Sequence, residues 1–119
     1  MTIAADMIAI ADDLMRMFGV PASYIPSGSG AWEAVPVTVR KKPLCRMTSE
    51  GRTFLVMEIS VRSSEVEAPA FGDVFEIGEE SWKLSSLPLE FYEISSHAGG
   101  ALWQLVLVKD AVSTGRGGA

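Results

Sequence analysis

Apolar and polar positions change their period along the chain. Between residues 3 and 18, Ile3, Met7, Ile10, Leu14 and Phe18 recur at spacings of three and four, with Asp6, Asp13 and Arg16 mostly off that stripe. That is the period of an amphipathic helix. Thr2 stands where an N-cap belongs, and Gly19 followed by Pro21 is a stop signal. The pattern predicts one helix of about four turns. Its stripe can pack on the domain core or on a neighbouring molecule, and the sequence leaves both open.

Beyond Val20 the period falls toward two. A short strand is expected at 23–25, a turn through Ser27-Gly28-Ser29-Gly30, and a strand at 32–40, where Val35, Val37 and Val39 alternate with Pro36, Thr38 and Arg40. Pro36 cannot donate to a ladder, so this strand is expected at an edge or bulged. The polar stretch KKPLCRMTSEGR, broken by Pro43 and Gly51, reads as a long loop. Residues 53–62, TFLVMEISVR, form the clearest strand: Leu55, Met57, Ile59 and Val61 face one way, Phe54, Val56, Glu58 and Ser60 the other. A short strand or turn follows at 64–66.

Residues 71–84, FGDVFEIGEESWKL, read as a hairpin. Its strands are 74–77 and 81–85, its turn is Gly78-Glu79-Glu80, and Phe75, Ile77, Trp82 and Leu84 give it an apolar side. Two more strands are expected at 91–94 and 101–108, joined through the turn residues 95–100. In the last strand both alternating faces are rich in apolar residues, which implies cover on both sides. One helix followed by about six strands predicts an α+β fold, the helix lying against a small antiparallel β-barrel or sandwich. The expected organisation is a helix or arm at 1–19, a β-barrel domain at 20–110 and a disordered tail at 111–119, where STGRGGA has little to pack with.

Composition narrows the class. At 119 residues, 48% hydrophobic and 21% charged, the chain has the makings of one folded domain rather than a disordered segment. No window nears the ~18 consecutive apolar residues of a membrane span. Asp6, Asp12 and Asp13 interrupt the apolar N-terminus, which is read as part of the mature fold and not as a signal peptide. Cys45 is the lone cysteine, so no intrachain disulfide can form and an intracellular setting is expected. A net charge of -5 argues against general nucleic-acid binding, which needs a basic face.

The charge is segregated, however. Residues 40–52 carry Arg40, Lys41, Lys42, Arg46 and Arg52 against Glu50 alone, whereas 65–93 carry eight acids, among them Glu76, Glu79 and Glu80, against Lys83. Two such segments can attract each other between identical subunits. Two solvated faces are the plain alternative.

Candidate chemistry does not assemble. His97, the sole histidine, sits in a Gly-rich turn without partners at metal-ligand or catalytic spacing. Cys45 has cations nearby but no identifiable base. The stretch SGSGAW lacks the Gly-Lys-Ser/Thr ending of a phosphate loop and leads into a strand. Glu79 and Glu80, adjacent in a turn, point apart and do not form an acid/base pair. Trp32, Trp82 and Trp103 read as core or interface packing, since no basic groove surrounds them. No cofactor or metal is expected.

A helix ending in Phe18-Gly19, a turn with Gly28 and Gly30, VPVTVRKKP, a long loop, TFLVMEISVR, GDVFEIGEESWKL, a Gly-Gly turn and WQLVLVK follow one another in this chain. This layout, over roughly residues 10–109, resembles the small head-tail joining proteins of tailed phages and prophages, the family of the lambda head-tail joining protein. Its most specific element runs from Glu65-Val66 through Gly72-Asp73 and Ile77-Gly78-Glu79-Glu80 to Trp82.

The resemblance implies a non-enzymatic virion component, assembled in the bacterial cytoplasm, that caps the portal end of the DNA-filled head and receives the tail. It implies a monomer that forms a ring, commonly sixfold, on the virion. It also implies a mobile arm and a mobile loop, mapping to 1–19 and 40–52, although the well-formed helix here departs from a simple disordered arm. Expected contact residues are Met7, Ile10 and Leu14 on the helix, Arg40, Lys41, Lys42, Arg46 and Arg52 on the basic segment, and Glu76, Glu79 and Glu80 as their complement. The expected partners are the portal or connector, tail proteins and further copies of the chain, with no membrane and no specific nucleic acid. A tail-side terminator or tail-completion ring and a small oligonucleotide-binding barrel are the alternatives.

Overall fold

The structure, a computed structural model, describes residues 3–85 and 91–110, with the side chains of 9–85 and 91–109. Helix α1 (Ile3–Phe18) has the expected bounds, and the Gly19 N–H closes it by donating to the Met15 carbonyl at 2.8 Å. Thr2 and the expected tail at 111–119 lie outside the described residues. The strands are β1 (Ala22–Ile25), β2 (Glu33–Ala34), β3 (Val37–Met47), β4 (Thr53–Arg62), β5 (Val74–Ile77), β6 (Glu80–Lys83), β7 (Ile94–His97) and β8 (Leu102–Asp110). The fold is α+β, with one helix and one antiparallel sheet.

The sheet corrects two expectations. It has eight strands instead of about six, in the order β2-β1-β5-β6-β8-β4-β3, with β7 also paired to β8, and it does not close into a barrel. Among the described residues, β3 meets the other end of the sheet at the isolated bridge Val37↔Val20, just before β1, where each residue's N–H donates to the other's carbonyl. Pro36 explains why the seam stops there. It has no N–H to extend the ladder, and the chain changes partner across it: Glu33 and Ala34 pair with β1, Val37 onward with β4. The expected single strand at 32–40 is therefore two.

A third correction concerns the basic segment. Residues 41–47, read as loop, continue β3, and only 48–52 form the tip of the β3–β4 hairpin. The register shifts between Val39 and Lys41 and again between Lys41 and Leu44, which places bulges around Pro43. From Arg40 to Met47 every side chain is exposed, so no burial period marks this strand in the sequence. Backbone pairing to β4 alone defines it.

β7 begins at Ile94, three residues later than expected, and pairs His97 with Leu102. The connection is the short 3-10 turn Ala98–Gly100. The hairpin at 74–83 forms as expected, with Phe75 opposite Trp82 and a two-residue turn at Gly78 and Glu79.

β4 and β8 pair along their whole lengths and alternate between two apolar clusters. Met57, Ile59, Val61, Leu105 and Leu107 join Phe75, Trp82, Leu84, Val35 and Val37 in the main core. Phe54, Val106 and Val108 face the other way and meet Phe91. The last strand is thus covered on both sides, as its sequence implies.

The Gly72-Asp73 step ties these layers together. Asp73 is 2% exposed, and its carboxylate accepts from the Tyr24 hydroxyl at 2.7 Å, the Ser27 N–H at 2.7 Å and the Ala70 N–H at 2.9 Å. Its carbonyl accepts from the Leu84 N–H at 2.9 Å, and the Gly72 N–H donates to the Leu84 carbonyl at 2.6 Å. Gly72 has φ +98°, and a Cβ there would lie 2.8 Å from the Ser27 hydroxyl oxygen, so only glycine fits. Burial, and after it the hydrogen bond to and charge of Asp73, push the Tyr24 hydroxyl well above the ordinary tyrosine range.

Replacing Asp73 with Ala leaves a buried hydroxyl and two N–H groups without their acceptor. A loss of about 3 kcal/mol or more is expected in denaturant unfolding. Tyr24 also makes stability depend on alkaline pH. The folded protein holds this proton to higher pH than the unfolded chain does. The contribution is therefore complete below the unfolded value near pH ~10 and falls as pH rises past it. Urea melts at successive alkaline pH values should show a downward slope that Tyr24→Phe reduces.

Candidate interaction surfaces

The exposed edge strand β3 displays most of the expected basic residues. Arg40 and Lys41 both turn back onto Glu58 of β4, at 3.7 and 3.3 Å, while Lys42 is exposed beside them. Arg46 lies 5.6 Å from the centre of the Phe91 ring and Arg52 4.9 Å from that of Phe54. These two rings pack edge to face at 6.2 Å. The cations are thus held on the hairpin by one carboxylate and two aromatic faces. Leu44 and Met47 stand exposed among them, giving the strand a mixed apolar and cationic surface.

The acids expected as a complement between subunits lie on the β5–β6 hairpin. Glu76 and Glu79 are exposed on the β5–β6 hairpin, and Glu80 pairs with Lys109 of β8 at 3.0 Å.

α1 uses only part of its apolar arc. Ala11 and Met15 are buried, and the Met15 sulfur accepts from the Thr38 hydroxyl at 3.5 Å. Arg62, at the end of β4, clamps the helix by donating to Asp12 at 3.0 Å, with Glu65 on its other side at 3.3 Å. Ile10, Leu14, Met17 and Phe18 remain 50, 41, 68 and 58% exposed. Their spacing is that of one helical face, so Ile10 and Leu14 point outward, as a contact role requires. The side chain of Met7 lies outside those described.

Sequence reading missed a cleft of about 570 Å³ between the β3–β4 tip and the β5–β6 hairpin. Phe54, Trp82 and Val108 line it together with Arg52, Lys83 and Lys109. These residues come from three separated segments, and only their strand registers bring them together. The sole available signal was Trp82, whose aromatic ring now lies 5.6 Å from the Lys109 ammonium. Trp32 is 66% exposed, whereas the Trp103 indole N–H is anchored on the Val66 carbonyl at 2.9 Å. Sequence reading could not separate these roles.

Among the described residues, no group of three or more His, Cys, Asp or Glu side chains is placed to share a metal ion, and no helix is long and apolar enough to cross a membrane. His97 is exposed at the end of β7, its Nε2 3.0 Å from the Ser95 hydroxyl. Cys45 is a free, exposed thiol on β3.

Among the described residues the small sheet thus carries an exposed cationic edge, an exposed apolar helical face and a cleft. The chain belongs to the phage head-tail attachment protein family, whose model matches residues 4–106. It is therefore a phage structural assembly protein and a virion component by family. Comparison with curated proteins finds no match.

The helix orientation makes a direct prediction. Met15→Ala should cost about 2 kcal/mol or more through the cavity it leaves. The double substitution Met17→Gln, Phe18→Gln should change stability by about 0.5 kcal/mol or less per site. Thermal melts of the two variants check the assignment, and equal losses would reverse it.

Proposed function

We propose that the protein is a non-enzymatic connector on the head side, joining the portal end of the DNA-filled head to the tail as a ring of subunits assembled in the bacterial cytoplasm. The observation that carries this reading is the head-tail attachment match, which spans α1, the β3–β4 hairpin and the β5–β6 hairpin. The basic edge of β3 supplies the partner contact: Lys42 and Arg46, with Arg40 and Lys41, meet acidic surface on the portal or the tail. Specific nucleic-acid binding and membrane attachment form no part of this function. The net charge of -5 supports the first exclusion.

Charge reversal tests the reading. Lys41→Glu with Lys42→Glu places like charges where opposite ones should meet, at a cost of several kcal/mol per contact. The yield of completed particles should fall by about tenfold or more, while the purified variant loses only about 1 kcal/mol of stability through the exposed Lys41–Glu58 pair. Unchanged completion would remove the strand from the contact. Sedimentation of the parent protein with DNA-filled heads is the expected companion result, and sedimentation with free tails instead would assign it to the tail side.

A further inference from the structure

The cations Arg40, Lys41, Lys42 and Arg46 of β3 fall into two kinds. Arg40 and Lys41 lie 3.7 and 3.3 Å from the half-buried Glu58 carboxylate, so their charge is answered within the molecule. Lys42 and Arg46 are exposed, and among the described residues neither stands within ion-pair distance of a carboxylate. Arg46 rests on the Phe91 ring, 5.6 Å from its centre. That contact orients the guanidinium and leaves its fork of N–H donors open to a carboxylate.

Leu44 stands between these two cations. Its register partner is Val56, as that of Arg46 is Phe54 and that of Lys41 is Glu58, and directly opposed residues share a face of the sheet. Lys41, Lys42, Leu44, Arg46, Val56 and Glu58 line one small groove of about 60 Å³. This is far below the roughly 300–1,000 Å³ of a small-molecule site, so the groove suits a single side chain of a larger partner. Leu44 is 57% exposed beside it, an apolar seat with an unanswered cation on either side. Protein suits this surface better than nucleic acid. The nearby Phe54 and Phe91 rings are buried and covered by Arg52 and Arg46, which leaves no face for a base to stack on.

We infer that the groove recognises an acidic peptide segment of another virion protein, which seats an apolar side chain on Leu44 and Val56 between carboxylates held by Lys42 and Arg46. Arg46 supplies bidentate geometry and Lys42 a point charge. Glu58 moderates the contact, because its charge opposes an incoming carboxylate while it draws Arg40 and Lys41 back onto the strand. The inference rests on the connector reading above and deepens it: two cations of β3 face the partner and two brace the hairpin.

Titration of the full-length chain against DNA-filled heads and against free tails, read by sedimentation, tests it side chain by side chain. Leu44→Ser, and Lys42→Ala with Arg46→Ala, should each weaken binding by about tenfold or more. Arg40→Ala and Lys41→Ala should stay within about threefold of the parent. Glu58→Gln should tighten binding by about threefold, a gain that a purely structural role for Glu58 does not produce. An excess of a short DNA duplex should leave binding unchanged. Equal losses at all four cations with Leu44→Ser neutral would overturn the groove in favour of a diffuse basic face, and displacement by the duplex would make the ligand a phosphate backbone. Self-association of the parent that the Leu44 and Lys42/Arg46 variants abolish would make the occupant a second copy and overturn the inference as well. If the parent binds and every variant binds alike, the groove is wrong and the connector reading survives. If the parent binds neither heads nor tails, both fall. Thermal melts of the variants at the exposed positions, expected to match the parent, establish that the losses arise at the contact.

Discussion

One buried carboxylate holds the architecture together. Asp73 collects a tyrosine hydroxyl from β1, an N–H from the turn after β1 and an N–H from the loop before β5. Its own carbonyl extends the ladder at the return of the β5–β6 hairpin. A charge this deep is tolerated only where hydrogen bonds replace its water. Tyr24 and Ser27 lie 49 and 46 residues from Asp73 and Ala70 only three, so the carboxylate is fully satisfied only when the β1 segment is brought against the loop before β5. That reciprocity makes it a specifier of the fold as well as a source of stability.

The rest of the sheet follows from which strands receive apolar cover. β4 and β8 are central, paired along their lengths and buried on alternating faces by two clusters. β3 lies at an edge and loses that cover after Val39. Its bulges, its proline and its run of cations suit an edge that must not pair with strands from elsewhere. The hairpin is therefore stabilised from below by β4 and from the side by ring and carboxylate contacts, leaving its outward surface chemically distinctive.

How much of this was legible in the sequence depended on whether burial imposed a period. α1, β4, the β5–β6 hairpin and β8 carry strong apolar periodicity, and all four stand close to where the pattern places them. β3 beyond Val39 has none, since both its faces are wet, and so a paired strand reads as a loop. The open seam was half visible: Pro36 signalled an interruption, but a change of partner on either side of it is a property of tertiary pairing. The helix stripe was visible, whereas its orientation was not. Ala11 and Met15 take the buried positions because Arg62 and Thr38 fix the helix there, through contacts 23 and 50 residues distant in sequence. The cleft was invisible for the same reason, being assembled from the ends of strands whose registers no local pattern encodes.

The irregular edge of β3 has a consequence for how the protein accumulates. An exposed, regular edge strand is a template for cross-β stacking between copies of any chain. Two register shifts and Pro43 interrupt the repeat of N–H and C=O groups, and the surrounding cations repel a second copy laid strand against strand. Fibre nucleation is suppressed by the same residues that give the surface its charge. The edge is thus protected against strand-on-strand pairing while its exposed side chains stay available for contacts of a different geometry.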